Sequence, residues 1–220
     1  MKRNASLEEI SDGRLYGPND MVKADCHGCK GCSDCCQGMG GSIILDPYDV
    51  YRLTTGLGKS FQEFLQREVE LNVVDGVILP NLKMAGEEEA CGFLDRNGRC
   101  SIHAHRPGIC RLFPLGRYYE NGSFQYFLQV HECKKENRTK VKVKKWIDTP
   151  NVKQYEWFVN DWHNFLKRME ERVDGAEEQM VKQISMFVLQ NFYMKPYDRS
   201  KDFYGQYEER MQAAKLIFHV

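Results

Sequence analysis

The sequence has no excess of charge of either sign: Lys and Arg together number 31, and so do Asp and Glu. No overall field is available to recruit nucleic acid or an anionic membrane surface, and neither is expected as a partner. Also missing is any apolar run near the roughly 20 residues needed to cross a bilayer. The start, Met1-Lys2-Arg3-Asn4-Ala5-Ser6-Leu7-Glu8-Glu9, lacks an apolar signal core, so the expected compartment is the cytoplasm. There is no glycine-rich strand-to-helix loop of the kind that binds nucleotides or S-adenosylmethionine, no serine-nucleophile elbow, no H-E-x-x-H and no internal repeat. These absences remove the commonest catalytic devices and leave enzymatic status open.

With 42% apolar and 28% charged residues over 220 positions, the composition is that of a globular protein. It fits one domain of ordinary size, or one with an appended helical layer. Nine cysteines are many for such a chain. In a reducing compartment they indicate metal binding or redox chemistry rather than disulfides, and their odd count points the same way.

Along the chain, Ser11-Asp12-Gly13 and Gly17-Pro18-Asn19-Asp20 mark residues 1–25 as a polar arm. Gly38-Met39-Gly40-Gly41 is a flexible turn, after which Asp46-Pro47 supplies an N-cap and a proline at the first helical position for a short helix through Tyr51 and Leu53. Beyond Gly56 and Gly58, Ser60 and Glu63 have capping-box spacing, which predicts a second helix ending near Leu71. Three hairpin-type dipeptides, Asp75-Gly76, Asn97-Gly98 and Asn121-Gly122, then imply a small antiparallel sheet between Val73 and Val130. Phe124, Tyr126, Leu128 and Val130 alternate with Gln125, Phe127, Gln129 and His131, as in a half-buried strand. From Lys134 to Lys145 seven basic residues face only Glu136, which reads as a solvated edge strand guarded by lysines in preference to an anion-binding patch.

Beyond Pro150 the period becomes helical, through Val152, Tyr155, Val159, Trp162, Leu166, Met169 and Val173. Further stripes run through Val181, Ile184 and Val188, and through Tyr204, Tyr207, Met211, Ala214 and Phe218, with Pro196 breaking between them. Helical spacing asks only for burial, so these rows are core or a surface for a protein partner rather than a cofactor box. The expected fold is α+β: a small antiparallel sheet with a cysteine-rich metal-binding loop region (residues 26–148) and a C-terminal helical layer (149–220) packed on it.

The informative stretch is Cys26-His27-Gly28-Cys29-Lys30-Gly31-Cys32-Ser33-Asp34-Cys35-Cys36. Cys26, Cys29, Cys32 and Cys36 have the C-x2-C-x2-C-x3-C spacing of bacterial ferredoxin loops, with Gln37 where proline usually follows. Gly28 and Gly31 suit a loop wrapping one centre, and His27 is expected to face solvent. Zinc more usually takes two separated C-x2-C pairs, so the spacing favours iron and sulfide. Tertiary structure could still draw Cys29, Cys32, Cys35 and Cys36 into a four-thiolate zinc site.

Neighbouring side chains at Cys35 and Cys36 are expected to diverge towards two different centres, completed from Cys91, Cys100, Cys110 and Cys133. The alternative for each remote thiol is an inert, buried, small hydrophobe. A hairpin at Asn97-Gly98 would bring Cys91 and Cys100 together. Cys110 lies between Arg106 and Arg111, whose charge favours its thiolate and which could themselves hold a carboxylate or phosphate of a cofactor.

Together, C-x2-C-x2-C-C at Cys29 to Cys36, C-x-F-L at Cys91, C-x-I at Cys100 and R-P-x-x-C-R-x-F-P from Arg106 to Pro114 resemble the YkgJ-like cysteine-cluster family. The resemblance implies zinc or iron chelation, with Cys29, Cys32, Cys35, Cys36, Cys91, Cys100 and Cys110 as chelating residues. Cys26 and Cys133 lie outside that pattern. The same domain occurs in flagellin lysine N-methylase. Where the family commonly has tyrosine after C-x-I, this chain has His103, followed by His105, each a ligand or proton carrier or simply a half-buried polar residue. Three readings follow: a metal protein with an iron-sulfur, iron or zinc centre in a structural or redox role; a metal-dependent protein-modifying enzyme of the lysine N-methyltransferase type; and a zinc-stapled interaction module.

Overall fold

Local signals decide where the elements begin. In the computed structural model, which describes residues 6–26, 32–135 and 137–220, Ser6 and Glu9 form a reciprocal capping box that starts α1 (Leu7–Ile10). β1 (Ser11–Tyr16) and β2 (Met21–Asp25) follow. Asp46 and Asp49 repeat the capping box, with Pro47 opening α2 (Pro47–Leu57) and left-handed Gly58 closing it. Ser60 and Glu63 do the same for α3 (Phe61–Leu65). β3 (Val69–Val74) and β4 (Val77–Leu82) are joined by Asp75-Gly76, both at positive φ, as a tight hairpin turn requires.

The short strands β5 (Met84–Ala85) and β6 (Ala90–Cys91) precede α4 (Gly108–Leu112). β7 (Leu115–Glu120) and β8 (Ser123–Gln129) turn at Asn121-Gly122, again at positive φ. β9 (Thr139–Lys142) runs directly into α5 (Val143–Ile147). α6 (Val152–Val173) and α7 (Glu178–Val188), a π-helical turn at Leu189–Met194 and α8 (Phe203–Phe218) complete the chain. The protein is α+β, with small antiparallel sheets and a C-terminal helical region. Among the described residues no helix is long and apolar enough to cross a membrane.

These elements form two compact units that interleave in sequence. One comprises Met1–Gly40 and Met84–Asn160, the other Gly41–Lys83 and Asp161–Val220. In the first, an antiparallel sheet has the order β1-β8-β7. Its β1 edge is bulged between Ser11 and Leu15, around Gly13 at φ 74°. The start of α6 is tied to this sheet: Tyr126 donates to Glu156 Oε1 at 2.9 Å, and Arg117 donates to the Tyr155 hydroxyl at 3.0 Å. A second ribbon pairs β2 with β9 and buries Val22 and Ala24.

In the other unit, the β3–β4 hairpin presents the largely buried β4 to α7, where Ser185 accepts from the Ile78 amide. Trp162, Phe165, Phe192, Tyr193 and Tyr207 form an aromatic core. Arg210 stacks 3.7 Å from the Tyr197 ring and donates to the carbonyls of Asn191, Lys195 and Pro196. One side chain thus satisfies acceptors that the end of the π-helical turn leaves open.

Several expectations need correction. The segment read as an irregular arm contains α1, β1 and β2, because its strands find partners in β8 and β9, more than a hundred residues downstream. α3 stops at Leu65 rather than near Leu71, since the six-pair register of β3 with β4 takes Val69 onward into a strand. The sheet is not single: a three-stranded sheet is accompanied by two-stranded ribbons. β8 alternates only at its start, because consecutive residues Tyr126, Phe127 and Leu128 are all covered. In the basic segment only Thr139–Lys142 is a strand, and Val143 begins a helix with its side chain fully buried.

Phe127 is buried opposite Gly116, and a Cβ at that glycine would stand 2.3 Å from the ring. The missing side chain is what lets the ring lie across the neighbouring strand. Gly116→Ala is expected to destabilise the protein by about 1–3 kcal/mol through forced displacement of the ring. The measurement is a lowered urea midpoint at unchanged slope, and an unaltered midpoint would contradict this packing.

Candidate metal centre

Short-range backbone bonds place the cysteines. Asp34–Cys36 is a 3-10 turn closed by the Cys36 amide on the Ser33 carbonyl at 2.7 Å. The chain then docks beside the β5–β6 ribbon, through a bridge from Gln37 to Ala90 and the Gly38 amide on the Glu89 carbonyl. Cys91, paired with Met84, ends that ribbon. Asp95 next accepts from the amides of Asn97 and Arg99, and Gly98 takes positive φ, so the chain reverses and Cys100 bridges back to Leu94. Asn97-Gly98 therefore makes a side-chain-braced loop rather than a regular two-strand hairpin. Cys110 lies on α4, just after the 3-10 turn His103–His105.

The thiols of Cys35, Cys36, Cys91 and Cys100 act on one another electrostatically. Cys36 hydrogen-bonds to Cys35, which, against the opposing effect of burial and with help from Arg106, lowers the Cys35 pKa to about 7. Cys36 is raised by the same bond, then by burial and by its neighbours Cys35, Cys100 and Cys91. Burial raises Cys91 and Cys100, and Arg106 opposes that rise at Cys100. Unlike the divergent pair expected from strand geometry, Cys35 and Cys36 face each other, because a 3-10 turn does not alternate its side chains.

Cys35 also reaches a second group. A cavity of about 20 Å³, room for one water-sized body, is lined by Cys26, Cys32, Cys35 and Cys133 together with Asp34 and Trp146. Cys32 donates to Asp34 at 3.4 Å, and Lys134 approaches the same carboxylate at 3.7 Å. The wall opposite is held by a reciprocal clamp between α4 and α5. Arg111 donates to the Ile147 carbonyl at 3.0 Å, and the Trp146 indole donates to the carbonyls of Leu112 and Phe113 at 3.2 and 3.1 Å.

Thus Arg111, expected as a possible anion ligand, is only 4% exposed and engaged with backbone, while Arg106 acts on Cys35 and Cys100. His103 is exposed, its pKa lowered by partial desolvation and then by Arg106, Arg99 and Arg111. His27, Gly28, Cys29 and Gly31 lie outside the described residues. Sequence reasoning missed Asp34 and Trp146. Asp34 stands inside the cysteine run and could have been flagged, whereas Trp146 reaches the cavity only through the α4–α5 contact.

The eight described cysteines are of intermediate burial and form no disulfide with one another. Among the described residues, no three His, Cys, Asp or Glu side chains are arranged to hold a metal ion. The donor chemistry nevertheless fits a thiophilic metal, since soft sulfur donors with a neighbouring guanidinium are what zinc and iron-sulfur centres use.

The family model described as "CxxCxxCC: Putative zinc- or iron-chelating domain" matches residues 28–140. The chain belongs to this family of cysteine-cluster metal chelators. No solved structure matches it.

The clamp generates a test. Trp146→Phe keeps the ring but removes the N–H shared by two carbonyls, and is expected to cost about 1–2 kcal/mol. Equilibrium urea unfolding measures this, and an unchanged midpoint would show that the indole bond does not brace the cavity.

Proposed function

We propose that the protein carries an iron-sulfur centre held by cysteine thiolates, in a structural or redox role, with zinc as the alternative occupant. The observation that carries this reading is the gathering of half-buried free thiols from distant segments, Cys35, Cys36, Cys91 and Cys100, beside Arg106. Family membership supports zinc or iron. The preference for iron and sulfide rests on thiols in excess of the four that one zinc site needs.

Cys36, Cys91 and Cys100 would serve one set and Cys26, Cys32 and Cys133 another, with Cys35 between them. The family pattern adds Cys29 and Cys110. An iron-sulfur centre supplies one-electron chemistry when bound, whereas zinc supplies a staple alone. The protein's own contribution is to gather the thiolates, offset their charge with Arg106 and limit water by half-burial. A reducing, cytoplasmic setting suits thiols that must stay unpaired.

Protein purified without oxygen should be brown and contain both iron and acid-labile sulfide. Cys36→Ser, Cys29→Ser and Cys32→Ser should each lower metal content. A colourless, sulfide-free anaerobic preparation with zinc at full occupancy would overturn the iron assignment, and undiminished metal in all three variants would overturn the cage. Because a site closed by such distant residues cannot persist in the unfolded chain, stripping metal with a strong chelator should also lower the melting temperature. An unchanged melt after verified metal loss would exclude a structural role.

A further inference from the structure

A cavity of about 240 Å³ lies where β1 and β8 meet the start of α6, within the same unit as the cysteines but lined by none of them. Tyr16, Phe124, Tyr126 and Trp157 supply aromatic lining, and Glu156 is the one charged side chain that lines it. Trp157 remains 44% exposed although it is the largest of these rings.

The hydrogen-bond inventory of this lining is lopsided. Tyr126 gives its hydroxyl proton to Glu156, and Tyr16 gives its own to Asp12. The Gly17 amide is spent on Asp20. Asn160 donates through Nδ2 to the Gly122 carbonyl at 2.7 Å. Since a carbonyl only accepts, this bond fixes the amide's orientation and leaves Oδ1 as an acceptor. That Oδ1 is buried and has no partner. Closed to water, it lies behind the cavity wall and takes no bond from that space.

Within the cavity a carboxylate and several π systems favour positive charge, and neither suits an anion. Burial raises the Glu156 pKa against the opposing effects of the Tyr126 bond and of Arg117, which stacks against Phe124 and Tyr155; Arg14 acts on the Tyr16 hydroxyl, and neither arginine lines the cavity. The volume lies below the roughly 300–1,000 Å³ typical of drug-sized ligands. We infer that this cavity binds a small alkylammonium group bearing at least one N–H, presented by a free amine or by a lysine side chain. The ammonium would lie close to the Glu156 carboxylate and contact the aromatic rings with its alkyl carbons. This inference stands apart from the metal reading.

The test uses the full chain with the Trp157 indole N–H resonance, assigned by its loss in Trp157→Phe. Butylammonium chloride and Nα-acetyl-lysine N-methylamide are the two charged probes, and pentan-1-ol is the neutral analogue. Saturable shifts with an ammonium probe and none with the alcohol are expected. Glu156→Gln, which keeps an oxygen for Tyr126, should weaken binding at least tenfold, and so should Trp157→Ala at an exposed position, whose affinity is read by titration calorimetry because that variant lacks the reporting indole. Binding by butylammonium alone would assign the site to free amines, and binding by both to a lysine side chain. Equal response to the alcohol, no saturable response to either ammonium, or full affinity in both variants would overturn the proposal.

Discussion

Cysteine side chains from segments more than fifty residues apart meet in the half-buried interior of one unit. Bringing such segments together costs loop-closure entropy, and burial raises the pKa of Cys91 and Cys100, as the bond to Cys35 and then burial do at Cys36, disfavouring their charged form. Thiols alone contribute little in return, because S–H is a weak donor. Metal–thiolate bonds would change that balance, since a cation stabilises the thiolate form that burial opposes. The surrounding structure is organised around this tension. Gln37 and Gly38 are zipped to the β5–β6 ribbon, Asp95 braces a loop, and α4 and α5 exchange side-chain-to-carbonyl bonds, each delivering one cysteine segment.

All eight described cysteines belong to the unit built from Met1–Gly40 and Met84–Asn160. The other unit has its own aromatic core and its own internal ties, such as Tyr193 to the Leu45 carbonyl and Tyr207 to Asp161. Metal chemistry and helical packing are thus separate tasks within the chain, even though their sequences alternate.

Much of the local structure could be read from the residues. Asp46-Pro47 and Ser60 with Glu63 begin helices, and Asp75-Gly76 and Asn121-Gly122 turn hairpins, because each signal acts over four residues or fewer. The α6 and α8 stripes were legible for the same reason: one face of a helix declares itself by spacing. What escaped was pairing at long range. Nothing in Met21–Asp25 announces β9, and the polar composition of residues 1–25 concealed strands whose partners lie far downstream. At the candidate centre the cysteines were evident, but their division was not. Spacing grouped Cys26 and Cys32 with Cys36, whereas the fold sets Cys26 and Cys32 beside Cys133, and Cys36 near Cys91 and Cys100.

The interleaving of the two units has a consequence during synthesis. Cys26 and Cys133 line one cavity, yet at about 5–20 residues per second roughly five to twenty seconds separate their emergence from the ribosome. Throughout that interval the early thiols have no late partners, and the residues of Gly41–Lys83 have already followed them into solution before Cys91 appears. The cysteine-rich segment therefore spends its first seconds as an open chelating peptide, exposed to whatever metals and oxidants the cell supplies.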